Sequence, residues 1–267
     1  MERTNTRSAW ERQLLIRDKN RPTIRDYLPL VFEDFYELHG DRGVGDDGAI
    51  LGGIGRLDGV PVTIIAEVKG RNIQENKASN FAMPHPEGYR KALRLVRQAE
   101  KFHRPVICFI DTSGAYCGIG AEERGQGQAI AENLMEMMTL NTPIISILTG
   151  EGGSGGALAL AVADRVWMLE NAVYSVISPE GCASILWKDA EKCAEAAANL
   201  KLTAQDALTL SVIERMITES DIGKPSFYAQ IRQLLAQELE QLRHSDALLQ
   251  QRYDRFRRIG AQKKETI

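Results

Sequence analysis

The chain has 267 residues, of which 43% are hydrophobic, so it can bury a full core as one large domain or two small ones. Its formal net charge of −3 gives no reason to expect binding to nucleic acid or to a lipid surface. No apolar run reaches the roughly 18–20 residues of a membrane span, and no apolar signal segment follows Met1, so we expect a cytoplasmic protein.

The cysteines and histidines show no spacing typical of a metal site or a disulfide framework. Without a C-x-x-C pair, the cysteines are predicted to be free thiols: Cys108, Cys117, Cys182 and Cys193. The histidines are scattered and are predicted to lie at the surface or at helix caps: His39, His85, His103 and His244. We therefore predict no metal site.

The chain is predicted to begin with helices. Residues 8–19 are typical of a short polar helix that ends before Pro22. A second helix is predicted from Thr23, which suits the N-cap, to Leu38, because apolar residues recur at three- and four-residue spacing. Pro29 lacks an N–H, so we expect the first turn of this helix to start late.

A hairpin and a long loop follow. Two β-like runs, residues 50–57 and 60–68, flank Asp58 and Gly59, a strong hairpin signal. Residues 69–86 have no clear period and predict an ordered loop with at most one turn of helix. Arg71 in this loop is a candidate substrate-binding residue for an anionic ligand, although charges of this kind are most often solvated.

The next part of the chain predicts the order strand, glycine turn, helix twice. After a helix at 86–102, the first unit has a strand at 106–110, a turn at 111–118 and a helix from about 122 to 140. The second unit occupies residues 143–163. If the two strands are parallel neighbours, the backbone N–H groups of both turns can point at one oxygen.

The second turn is rich in glycine around Ser154: Gly152, Gly153, Gly155 and Gly156. Glycines let the backbone take positive φ and let a ligand oxygen approach the N–H groups, and a helix start adds partial positive charge. The turn therefore suits a phosphate or an oxyanion that forms during a reaction.

Four interpretations of this turn differ in what else they need. A P-loop needs Lys and Ser/Thr after the last glycine, where Ala157 and Leu158 stand. A nucleophile elbow would make Ser154 the nucleophile of a serine hydrolase, for which only His244 follows as a base. An oxyanion hole needs the amides alone, and a purely structural turn needs only close helix–strand packing.

The rest of the chain predicts short elements and one long helix. Strands are expected at 166–169, 174–177 and 212–217, an alanine-rich helix at 190–200, helix starts at Ser178 and Thr203, and a polar helix at 226–258. We divide the chain into an N-terminal helical segment (1–42), a core (43–225) and a C-terminal helix (226–267).

Three motifs are long enough to identify a family: MPHPEGYRKA (residues 83–92), GEGGSGGAL (150–158) and YSVISPEG (174–181). Over about residues 8–218, the chain resembles the α subunits of bacterial acetyl-CoA carboxylase carboxyltransferases. The resemblance implies an α/β, crotonase-like fold of the ClpP/crotonase superfamily, built from repeated ββα units with flanking helices.

The resemblance also implies a reaction and its partners. With a zinc-ribbon β subunit, typically as an α2β2 heterotetramer, such enzymes move a carboxyl group from biotin on the biotin carboxyl carrier protein to acetyl-CoA. The product, malonyl-CoA, enters fatty acid biosynthesis, and a separate biotin carboxylase consumes the ATP. Carboxybiotin is thus a substrate, and no permanently bound cofactor is expected.

The family chemistry requires aimed N–H donors and no side-chain nucleophile. We therefore predict that the amides of Gly152, Gly153, Gly155 and Gly156 form the oxyanion hole. The remaining predicted substrate-binding residues are Gly114, Ala115, Tyr116 and Ser154, beside Arg71. We expect alanine at Gly155 or Gly156 to slow the transfer without unfolding the chain.

Some residues depart from the family pattern. Ser113 stands where the family commonly has proline or lysine, and Cys117 stands where it commonly has proline. Residues 218–226 replace a glycine-rich loop. A paralogue with another acyl-CoA acceptor or a specialised malonyl-CoA pathway is therefore an alternative, as are a serine hydrolase and a non-catalytic scaffold subunit.

Overall fold

A computed structural model describes residues 7–261 and places eight strands in one mixed sheet. The strands are β1 (Glu33–Glu37), β2 (Ile50–Leu57), β3 (Val60–Glu67), β4 (Val106–Thr112), β5 (Ile144–Gly153), β6 (Arg165–Leu169), β7 (Val173–Ser175) and β8 (Arg215–Ile217). Their order is β1-β2-β3-β4-β5-β6-β8, and β7 pairs with the end of β5. Pairing is antiparallel from β1 to β3 and parallel from β3 onward.

Helices connect and cover these strands. They are α1 (Ala9–Leu15), α2 (Ile24–Val31), α3 (Ile73–Ala78), α4 (Pro86–Lys101), α5 (Ile119–Glu123), α6 (Gln126–Thr139), α7 (Ser154–Ala161), α8 (Pro179–Trp187), α9 (Cys193–Asn199), α10 (Ala204–Thr209), α11 (Pro225–Arg243) and α12 (Leu248–Arg258). Helix α4 packs on α6 and β2, and α7 packs on β4 and β5. Every residue of β4 is buried, as expected for a parallel strand with both faces covered.

The apolar runs predicted most of these elements correctly. The hairpin forms with Leu57 opposite Val60, and Pro86 and Pro179 open helices at the predicted positions. Thr203 caps α10 through a reciprocal bond with Asp206, the capping-box arrangement. The α/β class is confirmed by the mixed sheet and its helices.

Two predictions near the N-terminus were wrong. The second helix ends at Val31, and the residues predicted as its last turns form β1, which pairs with β2. Pro29 lies inside the helix, whose first turn starts at Ile24 and not late. The loop at 69–86 also holds more structure than predicted, because α3 forms a six-residue helix.

Three helices predicted as continuous are each interrupted in the structure. The predicted helix at 122–140 breaks at Gly125, whose φ is +82°, into α5 and α6. The helix at 190–200 begins as a 3₁₀ turn before α9, and the long polar helix at 226–258 is divided into α11 and α12. The three-segment division of the chain stays a prediction.

Helix α12 is attached to the core by buried arginines, of which Arg252 makes the most contacts. Arg252 is fully buried and donates to both carboxylate oxygens of Asp164 at 2.9 and 2.8 Å. It also donates to the carbonyls of Met137, Leu140 and Thr142 at 2.7–2.9 Å. These contacts use every guanidinium donor, so the buried charge is both paired and hydrogen-bonded.

None of the helices described between residues 7 and 261 has the length and apolar character needed to cross a bilayer.

Candidate active site

The two predicted turns lie side by side at the carboxyl ends of β4 and β5. These strands are parallel neighbours, with Cys108 opposite Ser146 and Thr112 opposite Gly152. This pairing confirms the predicted arrangement of the two strand–turn–helix units. Strand β5 runs through Gly153, however, so Gly152 and Gly153 belong to the strand, and α7 starts directly at Ser154.

Two glycines of the second turn are required by the first turn. A Cβ on Gly153 would lie 2.2 Å from the carbonyl oxygen of Ser113, and a Cβ on Gly156 would lie 2.6 Å from the backbone nitrogen of Ala115. A Cβ on Gly155 would meet its nearest neighbour, in Ile130, at 3.8 Å, an ordinary contact. Close packing therefore explains Gly153 and Gly156 and brings the Ala115 amide beside the first turn of α7.

Only one of the three amides predicted in the first turn is free to bind a ligand. The Gly114 N–H donates to the Thr112 hydroxyl oxygen at 3.0 Å, and the Tyr116 N–H donates to the Pro84 carbonyl at 3.0 Å. The Ala115 N–H has no acceptor within residues 7–261. The structure thus narrows the prediction for Gly114, Ala115 and Tyr116 to a single donor.

The start of α7 supplies further donors. Its N-cap residue, Gly153, makes no side-chain capping bond, and the first-turn amides of any helix lack intrahelical acceptors. The amides of Ser154, Gly155 and Gly156 therefore point out of the helix, where the helix dipole favours negative charge. The Ala115 amide lies beside this helix start, because Gly156 packs against its nitrogen. Binding of an oxyanion by this donor group stays a prediction.

Ser154 does not have the surroundings of a hydrolase nucleophile. It is exposed, with φ of +51°, at the start of α7. Among the described residues that line the cavities around it, none is a histidine. His244 is exposed and bonds to Glu240, while His85 stacks on the Tyr116 ring at 4.2 Å.

Arg71 lies apart from the two turns. It forms an ion pair with Asp26 of α2, and its N–H donates to Glu75. It lines a separate groove of about 110 Å³ with Lys69 and Asp111. The structure therefore does not bring Arg71 to the donors of α7.

An apolar cavity of about 510 Å³ opens beside the start of α7. On the α7 side it is lined by Ser154, Gly155 and Leu158. The opposite wall comes from α12 and the residue after it: Arg255, Phe256 and Ile259. The sequence indicated only a polar C-terminal helix, so this contribution was missed; Phe256 within the arginine-rich stretch was the only signal.

Carboxyl groups that the sequence analysis did not single out lie beneath the turns, at the ends of β3, β4 and β5. Glu67 is buried and accepts the Asp111 N–H at 3.1 Å, and Asp111 in turn accepts the Glu151 N–H at 2.9 Å. Burial, and then the charge of Asp111, raise the pKa of Glu67 well above its usual range. The available signal was an acidic residue directly after an apolar run.

The cysteine thiols are free, and the described residues hold no metal-binding group. All four cysteines are unbridged, as predicted. Within residues 7–261 there is no group of three His, Cys, Asp or Glu side chains placed to hold a metal ion.

Solved structures with similar folds are carboxyltransferases and related enzymes. Transcarboxylase 12S, solved with methylmalonyl-coenzyme A and methylmalonic acid, aligns with a TM-score of 0.68 and 19% identity over 83% of this chain and 42% of that one. A Pseudomonas malonate decarboxylase heterotetramer in complex with coenzyme A aligns with a TM-score of 0.67 and 19% identity over 80% and 91% of the chains. At such identities the likeness shows the fold, and it confirms the crotonase-like prediction.

Sequence relatives are much closer. The family model described as acetyl co-enzyme A carboxylase carboxyltransferase-like matches residues 2–260. An acetyl-coenzyme A carboxylase carboxyl transferase subunit alpha from Clostridium acetobutylicum is 52% identical over 97% of both chains, and one from Streptococcus gordonii is 57% identical over 91% of this chain and 95% of its own. A Clostridium tetani relative named subunits beta/alpha is 54% identical over 98% of this chain, which spans 47% of that relative. The chain therefore belongs to the acetyl-coenzyme A carboxylase carboxyltransferase family, among its α subunits.

Proposed function

We propose that this chain is the α half of a carboxyltransferase that moves a carboxyl group from biotin to acetyl-CoA, forming malonyl-CoA for fatty acid biosynthesis. The observation that carries this proposal is the convergence of the Ala115 amide with the uncapped start of α7. The relatives named above, which are α subunits of this enzyme, support the identity of the reaction.

The reaction needs donors for an oxyanion more than it needs a nucleophile. When N1 of carboxybiotin releases its carboxyl group, negative charge grows on the ureido oxygen of the biotin ring. N–H groups fixed before the reaction stabilise such charge by about 2.7–4 kcal/mol each in comparable sites. We assign this task to the amides of Ala115 and of α7, so carboxybiotin is a substrate of this chain.

The apolar cavity beside these donors suits the rest of the biotin group. Leu158, Val176 and Phe256 line it next to the donor group. An apolar ring and alkyl arm would lose water contact there while the ureido oxygen reaches the amides. In this arrangement Ser154 contributes its backbone amide and needs no general base.

The partner would cover exposed apolar side chains of the cavity wall and of α8. Val176 is 78% exposed, and Ile185 and Leu186 of α8 are 69% and 65% exposed. Exposed apolar patches of this kind mark protein interfaces. We propose that a zinc-ribbon β subunit packs here in an α2β2 complex, brings acetyl-CoA, and receives the biotin carboxyl carrier protein that a biotin carboxylase has loaded in the cytoplasm.

The direct test measures malonyl-CoA formation with carboxylated carrier protein as donor. We expect product only when this chain and its β subunit are mixed, because neither half holds both substrates. Product from this chain alone would contradict a shared site. No product from two chains that demonstrably associate would favour a scaffold subunit.

Two exposed residues of the first turn make the acyl acceptor a second question. Ser113 and Cys117 are exposed in the first turn, at the two positions where the resemblance leads us to expect other residues. Comparing acetyl-CoA with propionyl-CoA in the same assay separates the two functions. A preference for the longer acyl group would favour the specialised paralogue.

A further inference from the structure

The first turn lies against a segment with an unusual backbone. Asn80, Phe81 and Ala82 have φ values of +48°, +56° and +59°, a left-handed turn built without glycine. Residues other than glycine hold such angles only where the surroundings fix them. Here the buried Asp47 accepts a bond from the Asn80 side chain at 2.8 Å and one from the His85 N–H at 2.7 Å.

Two carbonyl groups at and just after this left-handed turn, those of Ala82 and Pro84, accept hydrogen bonds from the first glycine turn and the end of β4. The Ala82 carbonyl accepts the hydroxyl of Thr112 at 2.5 Å, and the same hydroxyl oxygen accepts the Gly114 N–H at 3.0 Å. The Pro84 carbonyl accepts the Tyr116 N–H at 3.0 Å. The amides on both sides of Ala115 are therefore fixed by this neighbouring segment.

Gln126 at the start of α6 completes the attachment. Its side-chain amide is buried and donates to the carbonyls of Pro84 at 2.8 Å and Tyr116 at 2.9 Å. A single NH2 group thus joins the left-handed segment to the glycine turn. Its carbonyl oxygen has no partner within the described residues, so the side chain is oriented by its donors alone.

We propose that Thr112 and Gln126 are positioning residues for the carboxyl transfer. Neither touches the substrate in this arrangement. Thr112 accepts the Gly114 N–H, and Gln126 donates to the Pro84 carbonyl that accepts the Tyr116 N–H. The Ala115 N–H is thereby left as the one donor of this turn and is held beside α7, where it needs no reorganisation during the reaction. The expected effect on kcat rests on the proposed function, whereas the hydrogen bonds that fix the turn do not depend on it.

The geometry is tested by amide hydrogen exchange on the full chain. In the wild type, the Gly114 and Tyr116 amides should exchange slowly and the Ala115 amide fast. Thr112→Val, which keeps the shape and removes the hydroxyl, should speed exchange at Gly114 by about tenfold or more. Gln126→Leu should do the same at Tyr116. Unchanged exchange at both amides would overturn the proposal even if the chain proves inactive as a transferase.

The kinetic test uses the complex of this chain with its β subunit. Thr112→Val and Gln126→Leu should each lower kcat by about 10- to 100-fold, the loss expected for a misplaced donor, with KM for acetyl-CoA changed less than about threefold because the acceptor is bound elsewhere. Thr112→Ser, which keeps the hydroxyl, should recover most of the rate.

Matched controls separate positioning from stability. Thr142 is a buried threonine whose hydroxyl donates to the Arg104 carbonyl at 2.8 Å, away from the turns. Asn133 is a buried amide on the same helix as Gln126, also with an unpartnered carbonyl oxygen. Thr142→Val and Asn133→Leu should lower Tm by similar amounts but keep kcat. Equal losses of kcat in test and control variants, or no rescue by Thr112→Ser, would refute the positioning role.

Discussion

The two glycine turns of the donor group are held by opposite means. The turn after β4 is fastened by side chains, through Thr112 and Gln126, to a left-handed segment nearby. The turn after β5 is held by close backbone packing, because Gly153 and Gly156 have no side chain and lie directly against the backbone of the first turn. The comparison shows that one donor group can be built from hydrogen bonds on one side and from close backbone packing on the other.

The largest expected effect comes from adding a Cβ to the second turn. Gly153→Ala places a methyl 2.2 Å from the Ser113 carbonyl, so the two turns must separate. We expect a stability loss of about 3 kcal/mol, the upper range for overpacking. The transfer rate should fall by about 100-fold or more, as when an oxyanion donor is lost.

Chemical denaturation and the malonyl-CoA assay measure these effects. Gly156→Ala should lose stability as well as rate, contrary to the expectation from the sequence, because its Cβ would lie 2.6 Å from the backbone nitrogen of Ala115. A Gly153→Ala variant with normal stability and rate would show that the turns are not in contact in solution.

A second, pH-dependent effect concerns Glu67, the buried carboxyl group that accepts the Asp111 N–H at the end of β4. Glu67 has a raised pKa in the folded protein, mainly through burial, so the folded state holds a proton that the unfolded state releases above about pH 4.5. The contribution of Glu67 to stability is therefore greatest at acidic pH and falls as the pH rises toward the folded pKa. Glu67→Gln removes this dependence and keeps an acceptor for the Asp111 N–H.

Thermal unfolding of the wild type and Glu67→Gln at pH 5, 6.5 and 8 measures the difference. We expect the variant to gain stability relative to the wild type as the pH rises, by up to about 1.4 kcal/mol per unit. Glu122→Gln, at an exposed position, is the control. A constant difference across this range would mean that Glu67 is ionised in the folded protein.

The Gly155→Ala variant tests a glycine of the second turn that has room for a side chain. Its Cβ would meet only ordinary contacts, and alanine favours a helix over glycine by about 1 kcal/mol. We therefore expect Tm to stay level or rise, in contrast to Gly153→Ala. Any kinetic loss should appear as a higher KM for the carboxylated carrier, because Gly155 lines the cavity. A Tm loss like that of Gly153→Ala would remove the distinction between the two glycines.

The smallest effect is expected for Ser154→Gly. Glycine keeps the amide and accepts the φ of +51° without strain. We expect kcat within about threefold of the wild type, because no step requires the hydroxyl. A loss of several hundredfold with an unchanged Tm would instead indicate covalent chemistry at Ser154.

The sequence predicted the strands of the core and the two turns because their signals are local. Apolar β-branched runs define β2 to β5, and the glycines define the turns. The strand β1 was missed because Phe35 and Leu38 fall at helical spacing, while pairing with β2 decides the structure. The break before α12 has no glycine or proline to announce it.

The free amide of the site was beyond reach from sequence for a similar reason. Which N–H of residues 114–116 stays free depends on carbonyls some 30 residues earlier in the chain, at Ala82 and Pro84. The left-handed angles of residues 80–82 carry no glycine signal. Residue types located the donor group, and only the fold identifies which donor remains available.

The buried Arg252 makes α12 part of the protein interior, although this helix is rich in charged residues. A surface helix with so many charged residues looks like a tail that a protease could trim or an expression design could omit. Removing it would strip Asp164 of its counterion and leave three carbonyl groups deep in the protein without a donor. It would also take away one wall of the apolar cavity. Versions of this chain without α12 should therefore aggregate, because the buried side of this helix is part of the protein interior.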